Sequence, residues 1–411
     1  MATATRTKAK KAPAPKVSAV AEKLTNVMGE LRAELPEREV EVDLLVRSII
    51  ARSHPLFIGE PGVAKSLLVR QFMTHIGGAT LYEVLLAKDT PSDQVLGPVS
   101  LAALEQDEFR RITRDKLPEA NVAFLDEIFK ANSTVLNALL SIINERIFHN
   151  NGHSMIVPLW TCVGASNELP GTDRDDLRAF RDRFGVTKMV EHVRTSHGLK
   201  QVLDGQLARA RGTAASNEPT LVTYAEIETI QQDATNVIIP DNVTKALVEL
   251  RARAESENLS ISARRLFEGV RLMQAAAILT GRPEVSVEDM KVFEHVLWTD
   301  PEDHNTAYEL TLDYAGAVTK KAAKLRGEFD EQQAALSELQ QAMPADGSMP
   351  DSELMGNIGV VSNMLKKLHG RVNDAIEAAK EEGHETAELD QLVTDIDSSR
   401  ESVKKLLGIG S

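Results

Sequence analysis

Eight consecutive residues, Gly59-Glu60-Pro61-Gly62-Val63-Ala64-Lys65-Ser66, place two glycines, a lysine and a hydroxyl at a spacing suited to a polyphosphate. Such a ligand needs N–H donors aimed at its oxygens and a positive potential. Glycines let the backbone turn its N–H groups inward, and a helix opening near Leu67 adds about half a positive charge at its N-terminus. In this setting Lys65 reaches the β- and γ-phosphates of ATP, and the Ser66 hydroxyl ligates Mg²⁺. The usual pattern is G-x-x-x-x-G-K-[ST]. Here Ala64 stands where the last glycine is expected, and an alanine is tolerable there only at negative φ.

Phosphoryl chemistry also needs acids, a polar group near the attacking water and a cation for developing charge. The apolar run Val122–Leu125 ends in Asp126-Glu127. Consecutive residues project in different directions, so Asp126 can hold the metal while Glu127 orients and deprotonates water. A second apolar run, Thr161–Ala165, ends at Ser166-Asn167, where a neutral amide can hydrogen-bond both the γ-phosphate and the lytic water. Farther on, Arg178, Arg181 and Arg183 offer permanently charged guanidinium groups. Arg183 is the choice for a finger acting on a neighbouring subunit's nucleotide, with Arg181 in reserve. Ser262-Ala263-Arg264-Arg265 opens a later helix. From it Arg264, or alternatively Arg265, would reach the γ-phosphate of its own chain, so that lid closure follows nucleotide state.

These groups demand a scaffold that brings several strand ends together. Leu56–Ile58, Asn121–Leu125 and Trp160–Ala165 read as buried strands with helical segments between them. Strands alternating with helices imply an α/β fold, a parallel sheet with helices on both faces. Its ligands bind at the carboxyl ends of the strands. Residues 17–54 read mainly as helix, broken at Pro55. Residues 1–16 form a disordered basic tail, 17–200 the nucleotide-binding domain, 201–222 a linker and 223–300 an all-helical lid. The stretch that joins the two blocks begins at 186. Residues 301–411 read as a C-terminal three-helix bundle, with helices over 305–342, 352–381 and 386–407 and a loop at Pro344–Pro350.

The 411 residues carry a net charge of −14, and residues 1–16 contain five basic side chains and no acid, so the remainder carries −19. Such a body repels a phosphate backbone, which makes nucleic acid a poor default partner. The single cysteine, Cys162, reads as a small buried hydrophobe. With no possible intramolecular disulfide, no secretory signal and no apolar run of about 18 residues, the expected setting is cytoplasmic.

The order of Gly59–Ser66, Val122–Glu127, Gly164–Pro170, Asp182-Arg183-Phe184 and Ser262–Arg264 resembles that of a MoxR-type AAA+ ATPase over roughly residues 20–300. The RavA-like branch is the nearest likeness, carried by Leu96–Ser100, Leu117–Ala120, Asn144–Phe148 and by Ala64 itself. The resemblance implies a hexameric ring with ATP at subunit interfaces and a chaperone-like remodelling or assembly role. It also implies a partner bearing a von Willebrand factor A domain. It marks Leu85–Thr113 and the hairpin around Phe148–Ile156 as family inserts facing the pore or a partner. The C-terminal third departs from RavA: only the Pro344–Pro350 loop stands where that protein carries a small β-rich module. Motors driven by nucleic acid, or serving a metal chelatase, are the alternatives that share the fold, and a nucleotide-switched scaffold is a third.

Overall fold

The computed structural model describes residues 18–169, 180–211, 219–259, 261–343, 352–382 and 386–407. The basic tail, Pro170, Arg178 and the Pro344–Pro350 loop lie outside them. The chain divides into two compact units at Thr311/Leu312. That is later than the division expected at residue 300.

The first unit is organised by a parallel sheet of five strands: β1 (Pro55–Ile58), β2 (Leu81–Leu85), β3 (Val122–Asp126), β4 (Thr161–Ser166) and β5 (Val186–Met189). Their order across the sheet is β2-β3-β4-β1-β5. The three strands expected from continuous apolar runs are the three central ones. All four residues of β1 and all six of β4 are buried, as a strand covered on both faces must be. The register pairs Leu125 with Gly164 and Gly164 with Leu56, so the carboxyl ends of β1, β3 and β4 finish side by side. Pro55, expected only to break a helix, is the first residue of β1, where its missing N–H costs no ladder bond.

β5 corrects the expected organisation, because residues 186–189 belong to the sheet rather than to a joining stretch. The helix Ser196–Ala210 then runs across the boundary expected at residue 200 and occupies half of the expected linker. Helix Ser133–Glu145 packs its Val135, Leu136, Leu139, Ile142 and Ile143 into the sheet's core, at spacings of one helical face. Its N-cap Asn132 accepts the Val135 N–H.

Residues 17–54 form two helices, Ala19–Glu34 and Glu39–Ala51. The second packs against Tyr224–Ala234 and Ala263–Leu279 of the helical portion. Tyr224–Ala234 starts in a capping box, Thr223 and Glu226 each satisfying the other's backbone N–H. Helix Asp241–Ser256 and the 3₁₀ segment Glu288–His295 complete that portion.

The continuous helix expected over 305–342 is two helices, His304–Tyr314 and Ala317–Gln341. Gly316 lies between them at φ +92°, a conformation that stops one helix and that a side chain would strain. In the second unit, Ala317–Gln341, Ser352–Glu382 and Ala387–Leu406 pack on one another around Leu325, Phe329, Leu365, Leu368, Val372, Leu392 and Ile396.

Candidate functional site

The loop Gly59–Ala64 leaves the end of β1 and delivers Lys65, Ser66 and Leu67 as the first residues of helix Lys65–Thr74. Gly59 is required by a close approach. A Cβ built there would lie 2.2 Å from the Val190 carbonyl oxygen, just beyond the end of β5. Gly62 stands at φ +89°. Ala64 stands at φ +70°, ψ +19°, which corrects the expectation of a negative φ. The loop therefore demands a left-handed residue before the lysine and holds an alanine in it. Left-handed backbone costs a non-glycine residue about 1–2 kcal/mol, and such strain gathers where surrounding structure fixes a functional loop.

Arg38, which sequence reasoning missed, braces this loop. Its guanidinium is buried and donates to Val63 O at 3.1 Å and to the carbonyls of Glu37 and Glu191. Three backbone acceptors from three segments thus converge on one cation. Glu37 adds to the brace: its carboxylate accepts the Arg194 and Thr195 N–H groups at 2.8 and 2.9 Å. Nothing in the string around residue 38 separates this arginine from a solvated one.

Lys65 is also buried. Its ammonium donates to the carbonyls of Gly59 and of Glu60, the latter at 3.1 Å, and to Asn167 Oδ1 at 3.3 Å. Burial pushes its pKa down, while the charges of Asp126 and Glu127 oppose that shift. The amide of Asn167 donates in turn to Glu127 Oε1. Lys65, at the end of the loop that leaves β1, and Asn167 and Glu127, just past the ends of β4 and β3, therefore form one hydrogen-bonded chain. Glu127 sits at φ +51°, another strained residue, and its N–H is held by Asp126 Oδ1 at 3.0 Å. Its Oε2 is buried without a hydrogen-bond partner among the described residues. Lys130, three residues on, pairs with Oε1 at 3.2 Å. Glu60 is exposed and meets His192 at 2.9 Å.

The arginines separate by environment. Arg181 is tied to the Thr299 carbonyl and to Asp300 Oδ1 at 3.3 Å, so its reserve role as a finger yields to a structural clamp. Arg265 is 2% exposed and donates to Trp298 O at 2.8 Å, which leaves the exposed Arg264 as the lid candidate. Arg183 is half-buried, and burial and then the charge of Arg264 lower its pKa. Ser262 Oγ donates to Asp182 Oδ1 at 2.8 Å, docking the start of helix Ala263–Leu279 onto this segment. The two arginines expected to serve different nucleotides thus stand close together in one chain.

Cys162 is buried, and burial raises its thiol pKa, so it is an inert core residue, as expected. Its N–H donates to His54 Nδ1 at 2.8 Å, and the other ring nitrogen of His54 meets Ile143 O at 3.1 Å.

Hard oxygen donors at Ser66 and Asp126, beside a lysine and a helix N-terminus, suit a magnesium-bound polyphosphate. A five-stranded parallel sheet, a glycine loop entering a helix, and an acid pair on the next strand but one define a P-loop nucleotide-binding fold of the AAA+ kind. Comparison with known proteins places it further. A family model described as the MoxR domain in the MoxR-vWA-beta-propeller ternary systems matches residues 22–232, and an AAA lid domain model matches residues 242–310. The chain belongs to the MoxR family of AAA+ ATPases. Uncharacterized protein MJ0079 of Methanocaldococcus jannaschii is 37% identical over 311 residues, covering 74% of this chain and 79% of that protein. Chaperone MoxR1 of Mycobacterium tuberculosis is 27% identical over 211 residues, 47% of this chain and 55% of that protein. A crystal structure of a candidate ATPase from Cytophaga hutchinsonii shares the fold, with a TM-score of 0.59 at 17% identity over 72% of this chain and 95% of that one. Among the described residues no helix is long and apolar enough to cross a membrane.

Proposed function

We propose that this protein hydrolyses ATP at the edge formed by Gly59–Leu67, Asp126, Glu127 and Asn167. The observation that carries the reading is the chain Lys65–Asn167–Glu127, which links the groups for phosphate charge and for water activation across three strand ends.

The N–H groups of Gly62–Ser66 and the start of helix Lys65–Thr74 would receive the phosphates. Lys65 would exchange its carbonyl acceptors at Gly59 and Glu60 for β- and γ-phosphate oxygens. Ser66 and Asp126 would hold Mg²⁺, which supplies charge neutralisation on those oxygens when bound. Glu127 would take the proton of the attacking water on a carboxylate oxygen, and Asn167 would keep that carboxylate aimed. Arg183, contributed by a neighbouring copy in a ring, and Arg264 on the lid would stabilise the charge that develops on the transferring phosphoryl group.

The work done with that energy we read as chaperone-like remodelling or assembly of a protein partner by a hexamer. The MoxR1 relative is a chaperone, and the matching domain is named for systems that include a von Willebrand factor A protein. Ala64 and Leu96–Ser100 support the finer RavA-like placement. Two exposed inserts offer a client surface. The Leu85–Thr113 segment and the hairpin Ile147–Asn150/His153–Ile156 are stitched together by Asn150 and Asn151, which accept the Arg111 and Phe109 N–H groups at 2.8 and 3.1 Å. They present Leu101, Phe109 and Ile156 to solvent, Ile156 being 86% exposed.

Glu127→Gln is the test. The variant should retain ATP binding and lose turnover by roughly 10²–10⁴-fold. A Gln variant as active as wild type removes Glu127 as the base. Failure of the wild-type protein to bind adenine nucleotide, or binding untouched by Lys65→Ala, refutes the site itself.

A further inference from the structure

Away from the nucleotide site, Glu294, His295 and His304 each bring one donor atom into a cluster whose atoms all lie within 4.8 Å of one another. Glu294 and His295 end the 3₁₀ segment Glu288–His295, and His304 opens helix His304–Tyr314, so the cluster bridges two elements across a short turn. Glu294 Oε1 and His304 Nε2 are 3.6 Å apart.

A second observation is independent of that spacing. His295 is 6% exposed, and its Nδ1 is buried without a hydrogen-bond partner among the described residues. An orphaned buried donor or acceptor costs about 1–3 kcal/mol, and each one calls for an explanation. The Trp298 ring packs edge-on against His304, centroids 5.2 Å apart at 88°, and gives that imidazole an apolar wall.

We propose that Glu294, His295 and His304 form a binding site for a transition-metal ion of the zinc class, which fastens helix His304–Tyr314 to the segment Glu288–His295. Two imidazoles and one carboxylate are a zinc-type donor set, with a water completing the tetrahedron. The surroundings select the ion. Lys188 and Lys291 lie close enough for their charges to act on Glu294 and His295. One carboxylate among two lysines is a poor site for Mg²⁺ or Ca²⁺, which need several oxygen ligands. Two imidazole nitrogens instead suit Zn²⁺, Co²⁺ or Ni²⁺, ions that readily take nitrogen ligands. The donor atoms, within 4.8 Å of one another, must draw closer around an ion, and His304, the less buried imidazole of the pair and the first residue of its helix, is the one to move.

The experiment uses the full chain, stripped with chelator and free of nucleotide and Mg²⁺. Co²⁺ is titrated in while visible absorption is followed, and Zn²⁺ is then added as competitor. The expected result is one equivalent of Co²⁺ with tetrahedral d–d bands, displaced by Zn²⁺, and a rise in Tm of about 5 °C at a hundredfold excess over Kd. His304→Ala and Glu294→Gln should each lower affinity at least tenfold while circular dichroism stays that of wild type. Should His304→Ala fail to fold, Glu294→Gln and His304→Gln carry the same comparison. Absence of the bands in the wild-type protein, or bands of equal strength in the folded variants, overturns the site.

Discussion

Asn167 donates its side-chain amide to Glu127 Oε1 while its own oxygen accepts from Lys65 Nζ at 3.3 Å. Chemistry fixes the direction of that amide. A lysine can only donate and a carboxylate only accept, so the reversed amide would be repelled at both ends. The neutral side chain thereby couples a cation and an anion that a charged residue would disturb.

Removing the amide should therefore damage turnover more than binding. In Asn167→Ala the Glu127 carboxylate loses a positioning bond, and a misplacement of that kind can cost about 10²-fold in kcat. ATP affinity should change by less than tenfold, because Lys65 and the loop N–H groups still meet the phosphates without Asn167. Asn167→Asp should be worse in kcat, since a second carboxylate would face Glu127. Steady-state hydrolysis combined with a fluorescent-nucleotide titration measures both. Equal losses in affinity and turnover would contradict the positioning role.

Ala64 and Gly59 make opposite predictions from the same loop. Ala64 occupies left-handed backbone at φ +70°, so Ala64→Gly should relieve strain and stabilise the protein by about 1 kcal/mol, after allowing for the freer unfolded chain. At Gly59 a methyl group would press into the Val190 carbonyl, so Gly59→Ala must move the loop or β5. It should destabilise by about 2 kcal/mol or more and abolish nucleotide binding. Thermal melts with and without ATP separate the two. An Ala64→Gly variant that melts lower than wild type would refute the strain argument.

His54 makes stability depend on pH. Burial pushes its pKa down to about 3, against 6.5 in the unfolded chain, with the Arg146 charge adding to the shift. Above pH 6.5 both states are neutral at this residue, and the histidine contributes no pH dependence. Between 6.5 and 3 the unfolded chain takes up a proton that the folded chain refuses. Stability should fall with decreasing pH by roughly 1.4 kcal/mol per unit from this group. His54→Gln should be less stable at about pH 7.5 yet lose one proton's worth of that slope at about pH 5. Denaturant titrations across roughly pH 4.5–7.5 read the difference, and an unchanged slope would refute it.

The buried parts of the fold were legible because burial on both faces writes a continuous apolar run, as in Val122–Leu125 and Thr161–Ala165. β2 and β5 were not, for physical reasons. Leu81–Leu85 is an edge strand with alternating burial over only five residues, and Val186–Met189 buries only its first two. The candidate site was readable where a residue lies beside its motif: Lys65, Asn167 and Glu127, each expected from its own motif, join in one hydrogen-bonded chain. Arg38 and His54 were invisible because their partners, Val63, Glu191, Ile143 and Cys162, lie up to 153 residues away, and only the folded chain relates them. The φ of Ala64 ran against its residue type, and local propensity yielded there to the geometry of the loop.

Arg181 and Arg183 are two residues apart and should behave as different kinds of residue. Arg181 clamps Thr299 and Asp300, so Arg181→Ala should lower Tm. Arg183→Ala should instead lower kcat, by roughly 10³-fold if the finger acts at full strength, with Tm nearly unchanged. Mixing tests where it acts. Arg183→Ala and Glu127→Gln are each expected to be inactive alone. If Arg183 serves a neighbour's nucleotide, a mixed ring contains interfaces in which one copy gives an intact Glu127 and the next an intact Arg183, and activity returns. If it serves its own chain, no mixture restores a complete site. If Arg264 serves its own chain's nucleotide from the lid, Arg264→Ala mixed with Glu127→Gln should stay silent where Arg183→Ala is rescued, although the two arginines stand close together and Ser262 is docked on Asp182. Rescue of one arginine variant without the other would show that the pair separates when nucleotide binds.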